Sequence, residues 1–319
     1  QKLEWIKYYP KIAEIQDNLI TAYRQGDKSK VHDLQRKIVT SFEGRALAVR
    51  KVVTNKGGKT AGVDGRTWET SDQRMNAIEK LGQISQNSKN YEASPVKRIW
   101  IPKTGTTELR PLGIPTLIDR AVQALYHMAV DPIVEEESDE HSYGFRKYRS
   151  AHDAILRIRT LLDKSTSPEW VLEADIEKCF DRISHKFLME HTPICDKNVL
   201  RQWLKSGITE NGFLNQSVEG IGTPQGGIMS PTLSNIALNG FEKFIRNHKS
   251  MKNQPKRTKI HLIRYADDFI VTGRSREFLE DTVREICEEF LEPRGLKLKE
   301  AKTSVVSIHT GFKFLGFEI

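Results

Sequence analysis

Apolar residues recur every three or four positions along residues 1–50, which is the spacing of one face of an α-helix. Ile12, Ile15 and Leu19 mark such a face within residues 3–23. Gly26 and Asp27 interrupt the pattern, which resumes between residues 31 and 49 with basic residues between the apolar ones. The sequence therefore predicts two amphipathic helices at the start of the chain.

Further along the chain, short apolar runs typical of strands alternate with longer segments at helical spacing. Because strands and helices interleave, the pattern predicts an α/β or α+β fold. Residues 54–67 and 249–259 indicate loops, and a hairpin is predicted within residues 212–227. Strands are predicted at 96–101, 109–115, 170–174, 261–263, 269–271, 304–308 and 312–319, and helices at 71–81, 118–136, 150–162, 185–190, 198–205, 230–247 and 276–291.

Tyr265-Ala266-Asp267-Asp268 is the most informative short segment, because its two adjacent carboxylates stand between two apolar runs. A hairpin with apolar strands places two like charges side by side when a cation meets them. Mg²⁺ is the usual candidate, since it prefers carboxylate oxygens and keeps coordination positions open for substrate phosphates. An ordinary polar turn is the alternative, because Asp is common in turns.

A third carboxylate stands at the end of a separate predicted strand. Asp175 follows the apolar run at 170–174, and Phe180 lies five residues further on. If this strand lay beside the acidic hairpin, Asp175 would form a three-acid cluster with Asp267 and Asp268. Such a cluster can hold two Mg²⁺ ions for in-line displacement at phosphorus. One ion would activate a 3′-hydroxyl, and the other would hold the triphosphate and the leaving pyrophosphate.

Two further segments carry candidate nucleotide contacts. Residues 222–231 read Gly-Thr-Pro-Gln-Gly-Gly-Ile-Met-Ser-Pro, in which glycines allow close backbone approach just before a helix begins. The alternative there is a plain loop that ends in a helix cap. Lys103 and Arg110 stand on adjoining extended segments, where two cations could grip a triphosphate. The alternative for them is a surface hairpin with solvated charges.

The composition narrows the class of partner. Of 319 residues, 50 are lysine or arginine and 42 are acidic, which gives a net charge of +8 and a pI near 9.2. This balance favours a polyanion such as nucleic acid, so the basic N-terminal helices are either a helical cap with a solvated face or an arm that contacts RNA. No apolar run approaches the length of a membrane span, so we expect no membrane partner.

Two familiar kinds of site are disfavoured by spacing. Cys179, Cys195 and Cys287 form no CxxC pair, which argues against a zinc site or a disulfide framework and suits a reducing, intracellular compartment. The stretch Gly-Gly-Lys-Thr at 57–60 ends like a phosphate-binding P-loop, but Val53 stands where that motif needs a glycine. The segment before it is also helical in pattern, so a P-loop is excluded.

Taken in order, these segments resemble the reverse transcriptase of a group II intron-encoded protein. The family's active-site turn matches residues 265–268, and its first-aspartate motif matches residues 175–181. Its Pro-Gln-Gly-Gly loop matches 224–227, and its fingertip segment matches 110–115. Residues 142–146, 302–303 and 314–317 also match, and 59–65 is similar to the N-terminal extension of intron-type enzymes. The resemblance covers nearly the whole chain.

The resemblance implies an α+β fold, namely the fingers and palm of a right-hand polymerase, with an antiparallel palm sheet backed by helices. Residues 1–70 would be a helical N-terminal extension with a basic, glycine-rich loop. Residues 71–168 would be mostly fingers, and 169–319 would be palm with some fingers elements at 212–231. Family members usually continue into a thumb, so we expect the sequence to belong to a larger protein.

The resemblance also implies roles for single residues. Phe180 would lie under the nucleotide sugar and exclude a ribose 2′-hydroxyl, or else be a core aromatic. Lys302 would lie near the leaving pyrophosphate as a proton donor. Two Mg²⁺ ions would be bound by the catalytic residues Asp175, Asp267 and Asp268 with the Ile176 carbonyl. The nucleotide would be bound by Lys103, Arg110, Phe180, Gln225 and Lys302. The primer end and the active site would be supported by Tyr265, Ala266, Pro224 and Gly226.

The implied function is an RNA-directed DNA polymerase of a mobile group II intron, which copies intron RNA into DNA and helps that RNA to splice. Its partners would be intron RNA, an RNA template with a DNA primer or target DNA, and dNTPs, in a bacterial cytoplasm or an organelle. The alternatives are a splicing maturase that no longer polymerises, a reverse transcriptase domesticated by a bacterial defence or CRISPR system, and a metal-dependent nuclease. The intact three-acid set argues against the maturase alone, and nucleotide-gripping residues have no purpose in a nuclease.

Overall fold

The computed structural model describes residues 5–102, 107–215, 220–223, 225–251 and 259–319. The predicted site residues Lys103 and Pro224, and most of the predicted loop at 249–259, lie outside these ranges. The chain divides into two compact units. The first unit comprises Gln1–Glu136 and Leu188–Leu233, and the second unit comprises Glu137–Phe187 and Ser234–Ile319.

The elements of the described residues follow the predicted alternation of helices and strands. The α-helices are α1 (Tyr8–Arg24), α2 (Lys28–Thr40), α3 (Phe42–Thr54), α4 (Ser71–Gln86), α5 (Leu117–Glu137), α6 (Ala151–Leu162), α7 (Cys179–Arg182), α8 (His185–His191), α9 (Lys197–Lys205), α10 (Ser230–Leu238), α11 (Phe241–Asn247) and α12 (Arg284–Leu291). The strands are β1 (Val96–Pro102), β2 (Leu109–Ile114), β3 (Trp170–Asp175), β4 (Ile208–Glu210), β5 (Phe213–Asn215), β6 (His261–Tyr265), β7 (Asp268–Gly273), β8 (Ser304–Ser307), β9 (Lys313–Phe314) and β10 (Phe317–Glu318).

Two of the predicted long helices are each split into two. The prediction of one helix from residue 31 to 49 is wrong at Ser41, whose extended backbone ends α2 and whose hydroxyl caps α3 by accepting from the Gly44 amide. The prediction of one helix over 230–247 is wrong at Gly240, which has φ +82° between α10 and α11. The apolar spacing hides both breaks, because buried residues such as Ile38 and Phe241 stand beside them.

A buried arginine fixes the glycine-rich loop of the first unit. Arg120 on α5 donates from its guanidinium to the backbone carbonyls of Gly57, Thr60 and Pro115. These bonds satisfy a charge that burial would otherwise make costly. The Gly-Gly-Lys-Thr stretch at 57–60 is therefore held against α5 through its backbone carbonyl groups.

The sheet of the first unit has the strand order β2-β1-β4-β5. Strands β1 and β2 are antiparallel neighbours, and β4 adds to β1 in the parallel sense through Val96 and Ile208. Strands β4 and β5 form a hairpin that turns at Asn211 and Gly212, both with positive φ. The hairpin predicted within 212–227 thus begins earlier in the chain than the sequence indicated.

The sheet of the second unit has the strand order β6-β7-β3-β8, and every adjacent pair is antiparallel. One face packs against α6, where Ile158 meets Val171 and Ile270 in a buried cluster. The opposite face packs against α11, where the rings of Phe241 and Phe269 lie 5.1 Å apart. Strands β3 and β7 are buried on both faces, which explains their nearly continuous apolar runs.

Helices long and apolar enough to cross a membrane do not occur in the described part of the chain. The longest, α5, has Pro132 and several charged residues within it.

Candidate active site

The two adjacent aspartates lie at the turn between β6 and β7. Tyr265 pairs with Asp268 across the two strands, so Ala266 and Asp267 form a two-residue turn. Ala266 has φ +58°, in the left-handed region that tight hairpin turns use. The predicted acidic hairpin is confirmed, with one aspartate in the turn and the other as the first residue of β7.

Asp175 is brought to this turn by strand pairing. It ends β3, and it lies directly opposite Asp268 in the antiparallel register of β3 and β7. Directly opposed residues project their side chains from the same face of a sheet. Lys302 joins them, because its Nζ donates a hydrogen bond of 2.8 Å to Oδ2 of Asp175.

The electrostatics show an excess of negative charge at the turn. Burial, and then the charges of Asp267 and Asp175, raise the pKa of Asp268 to about 6, while Lys302 opposes part of that rise. The hydrogen bond to Asp175 in turn raises the pKa of Lys302. The local cations therefore compensate these carboxylates only in part.

A wholly buried arginine that sequence reasoning missed supports the turn from inside the second unit. Nη1 of Arg264 donates to the carbonyl of Ala266 at 3.1 Å and to Oδ1 of Asn235 at 3.2 Å. Burial lowers the pKa of Arg264 to about 10, and the nearby charge of Asp139 opposes that change. The available signal was Arg264 itself, a charge inside an otherwise apolar strand beside the aspartates.

Residues 142–146, which matched the family only as a motif, brace the same turn. The Asn235 side-chain amide donates to the carbonyl of Gly144 at 3.0 Å. A Cβ at Gly144 would lie 2.2 Å from the amide nitrogen of Ala266, so only glycine allows this approach. The amide of Tyr143 also donates to the carbonyl of Arg264 at 2.9 Å.

Phe180 lies on α7, shortly after β3 ends. Its ring is partly exposed rather than enclosed, and it meets the ring of Phe145 edge to face, with centroids 6.1 Å apart and planes inclined by 72°. Lys178, which precedes α7, has φ +46°. This left-handed residue turns the chain sharply between Asp175 and Phe180.

Two predicted nucleotide-binding residues of the first unit, Arg110 and Gln225, lie at or against β2. Arg110 is exposed on that strand, opposite Ile101. The Gln225 carbonyl accepts a hydrogen bond of 2.6 Å from the amide of Gly113. Gly226 has φ +110°, and a Cβ there would lie 2.5 Å from the Gly113 carbonyl. The Gln-Gly segment therefore lies against the strand that carries Arg110.

Comparison with known proteins places this geometry in a family. The profile of the family described as "Reverse transcriptase (RNA-dependent DNA polymerase)" matches residues 101–319, which is more than half of the chain. The chain belongs to the reverse transcriptase family. The profile described as "N-terminal domain of reverse transcriptase" also matches this reverse transcriptase chain, over residues 1–81.

The relatives confirm the resemblance to group II intron proteins. The reverse transcriptase chain is 32% identical to Protein YkfC of Escherichia coli (strain K12), over 97% of this chain and 88% of that protein. It is 27% identical to the Group II intron-encoded protein LtrA of Lactococcus lactis subsp. cremoris, over 86% of this chain and 54% of that protein. The chain therefore spans about half the length of this intron-encoded relative.

A solved structure confirms the fold class. Telomerase from Candida albicans, in complex with a TWJ fragment of telomeric RNA, matches the reverse transcriptase chain with a TM-score of 0.51 and 17% sequence identity. The match covers 74% of this chain and 47% of the telomerase chain. With the family match, it confirms the predicted α+β fingers-and-palm class.

Reverse transcriptases generally use divalent metal ions. Among the described residues, no group of three or more His, Cys, Asp or Glu side chains is close enough together to hold a metal ion. One carboxylate oxygen of Asp175 accepts a hydrogen bond from Lys302. The backbone carbonyl of Asp175 accepts a hydrogen bond of 2.8 Å from the Lys299 amide, and the Ile176 carbonyl takes no part in that bond. The aspartates do not form a complete coordination shell. Their carboxylate oxygens are nevertheless of the kind that divalent cations bind, and the raised pKa of Asp268 shows an excess of negative charge that a cation would offset.

Proposed function

We propose that this chain forms the fingers and palm of an RNA-directed DNA polymerase of a mobile group II intron, which copies intron RNA into DNA during retrohoming. The register of β3 and β7 carries the proposal, since it sets Asp175 opposite Asp268 beside the turn that holds Asp267. The similarity to LtrA supports the intron setting.

The acidic turn is the reacting centre in this proposal. Asp175, Asp267 and Asp268, with the Ile176 carbonyl, would hold two Mg²⁺ ions. Bound there, these ions would lower the pKa of the primer 3′-hydroxyl and neutralise the triphosphate and the leaving pyrophosphate. Tyr265 and Ala266 support the primer end, because they form the strand end and the turn on which the aspartates stand.

Lys302 serves the leaving group. Its ammonium lies 2.8 Å from Asp175, and the bond to that carboxylate raises its pKa, so it is protonated at neutral pH. A protonated lysine can give a proton to the pyrophosphate oxygen as the bond to the α-phosphorus breaks. Pairing with Asp175 keeps the proton donor beside the acidic centre.

The remaining residues bind and select the nucleotide. Phe180 lies under the sugar, where a rigid ring leaves neither space nor a hydrogen-bond partner for a 2′-hydroxyl. Lys103 and Arg110 grip the triphosphate from the adjoining extended segments that the sequence predicts for them. Gln225 lines the nucleotide pocket, and Gly226 shapes the loop that holds it against β2. Pro224 would support the active site.

The net charge of +8 suits the nucleic acids that this reaction requires. We propose an RNA template with a DNA primer or target DNA, dNTPs as substrates, and intron RNA bound by the same basic protein as a maturase. The predicted organisation, with an extension at 1–70, fingers at 71–168 and palm at 169–319, is part of this proposal. The place of action would be a bacterial cytoplasm or an organelle.

The double variant Asp267→Ala/Asp268→Ala tests the proposal. We expect it to lose primer extension on an RNA template with Mg²⁺ and to keep its affinity for intron RNA, because RNA binding rests on the basic surface. Asp281→Ala/Glu285→Ala is the matched control, since it removes two exposed acids from the same unit. Full extension by the Asp267/Asp268 variant would overturn the mechanism.

The same experiment separates the polymerase from a maturase that only binds RNA. Such a maturase would bind intron RNA and promote splicing, while the unmodified chain would extend no primer. Extension by the unmodified chain and by the control, but not by the Asp267/Asp268 variant, is the result that supports polymerisation at this turn.

A further inference from the structure

Phe145 combines two features that are costly for a phenylalanine. The residue is 49% exposed, although its side chain is large and apolar. Its φ is +60°, in the left-handed region that bulky residues rarely adopt. Strained residues persist where the surrounding structure determines their conformation, and they cluster at ligand-binding and catalytic sites.

The surroundings of Phe145 do determine its conformation. On its N-terminal side, Gly144 is packed against the Ala266 amide and hydrogen-bonded to Asn235. On its C-terminal side, the guanidinium of Arg146 donates to the Ser142 carbonyl at 2.6 Å. The backbone on both sides is thus fixed relative to the acidic turn, and the ring between them is presented at a set position.

The set position is against Phe180. The two rings meet edge to face with centroids 6.1 Å apart, which is a favourable arrangement for an aromatic pair. Phe180 is itself only partly buried, and it stands on α7, a single helical turn. So short an element does little to hold a ring still, so the contact with Phe145 restricts the directions in which the Phe180 ring can tilt.

We propose that Phe145 is a specificity-determining positioning residue, which fixes the tilt of the Phe180 ring and thereby sets how strictly ribonucleotides are rejected. The inference rests on the proposed function and deepens it, since it assigns the sugar selectivity to a pair of rings. A 2′-hydroxyl is rejected only if the ring beneath it cannot move aside. Without Phe145 the Phe180 ring gains that freedom, and the ribose fits.

The test compares single-nucleotide extension with a dNTP and with the matching rNTP on one primer and template. We expect Phe145→Ala to lower the ratio of kcat/KM for dNTP over rNTP about tenfold, the size of one favourable aromatic contact. The change should come mainly from a lower KM for the rNTP. Phe145→Tyr keeps the ring, so its ratio of kcat/KM for dNTP over rNTP should equal that of the parent.

Tyr148→Ala is the matched control. Tyr148 lies in the same segment, has φ +61° and a fully exposed side chain, and should leave the ratio unchanged. Adding Phe145→Ala to Phe180→Ala should change the ratio no further, because Phe145 acts through Phe180. Phe145→Leu, which keeps apolar bulk without a ring, should also lower the ratio and serves as the second variant if the alanine protein does not fold.

The outcomes distinguish the inference from the function on which it rests. An unchanged ratio in Phe145→Ala or Phe145→Leu, or an equal loss for both nucleotides, overturns the role of Phe145 and leaves the polymerase proposal standing. An additive effect in the double variant also overturns it, since Phe145 would then act independently of Phe180. Failure of the unmodified chain to incorporate any dNTP overturns the proposed function and this inference together.

Discussion

The guanidinium of Arg264 donates a hydrogen bond of 3.1 Å to the carbonyl oxygen of Ala266, the residue that starts the acidic turn. The arginine is fully buried, and its neighbouring contact is Oδ1 of Asn235 on α10. A buried charge is costly unless it is hydrogen-bonded, so the arrangement of these partners is closely specified. The turn is therefore held by the buried Arg264 side chain as well as by the pairing of its own strands.

Asn235→Ala should loosen this turn. The change removes the hydrogen bond that the Arg264 guanidinium donates to Asn235 and the one that the Gly144 carbonyl accepts from it. An unsatisfied buried group costs about 1–3 kcal/mol, so we expect the free energy of unfolding to fall by that amount in urea titration. The rate of primer extension at saturating dNTP should fall as well, because the aspartates are held less firmly.

Lys243→Ala is the control for this prediction, since Lys243 is exposed on α11 in the same unit. Exposed substitutions of this kind change stability by about 0.5 kcal/mol or less. If Asn235→Ala unfolded at the same urea concentration as the control and extended primers at the same rate, the supporting role of Asn235 would be refuted.

The acidic hairpin and the strand that ends at Asp175 could be predicted from the sequence because their signals are local. Apolar runs bounded by turn residues define each strand on its own. The family motifs then supplied the expectation that the two segments meet. The register that sets Asp175 opposite Asp268 arises only when β3 and β7 pair across distant parts of the chain, and no single segment specifies that pairing.

The support beneath the turn could not be predicted for the same reason. Asn235 looks like any polar residue near the start of a helix, and its partners, Gly144 and Arg264, lie far from it in the sequence. The break at Gly240 was missed because a glycine inside a helical pattern is compatible with an unbroken helix. Only the φ of +82° there shows that the chain turns between α10 and α11.

Glu242 makes the stability of the second unit depend on pH. Burial alone would raise its pKa, but the hydrogen bond from His141, and then the charges of His141 and Arg246, hold the pKa below its ordinary value. Nδ1 of His141 lies 2.8 Å from its carboxylate, and Nη2 of Arg246 lies 2.6 Å from it. A carboxylate with a lowered pKa stabilises the fold above its unfolded pKa, and that contribution is lost as the pH falls through the folded value.

We therefore expect Glu242→Gln to be less stable than the parent at pH 7, by about 1–3 kcal/mol for the lost charged hydrogen bonds. The difference should begin to shrink once the pH falls below about 4.3, the ordinary glutamate pKa, because the unfolded parent is then protonated, and it should vanish as the pH falls through the lower folded value. Urea titrations between pH 7 and pH 3 measure it. Glu318→Gln is the control, since Glu318 forms an exposed pair with Lys313, and it should unfold with nearly the parent's free energy at any pH. A difference in free energy of unfolding between Glu242→Gln and the parent that stays constant with pH would contradict the role given to Glu242.

Lys302 has two separable roles in the proposed reaction, as the ion-pair partner of Asp175 and as a proton donor. Lys302→Met removes both, and we expect kcat for dNTP incorporation to fall by about 10²- to 10⁴-fold, the usual contribution of a general acid. Lys302→Arg keeps a positive charge beside Asp175, but a guanidinium does not give up its proton in proteins. We expect the arginine variant to stay nearly as slow as the methionine variant.

Pre-steady-state incorporation of one dNTP measures these rates without interference from product release. Lys313→Met, which removes an exposed lysine from β9 in the same unit, should extend primers like the parent. Recovery of the parent rate in Lys302→Arg would show that charge alone suffices, and Lys302 would then serve to pair with Asp175. A slow arginine variant that still binds the dNTP with the parent KM would assign the loss to the proton, since pairing and binding would both be intact.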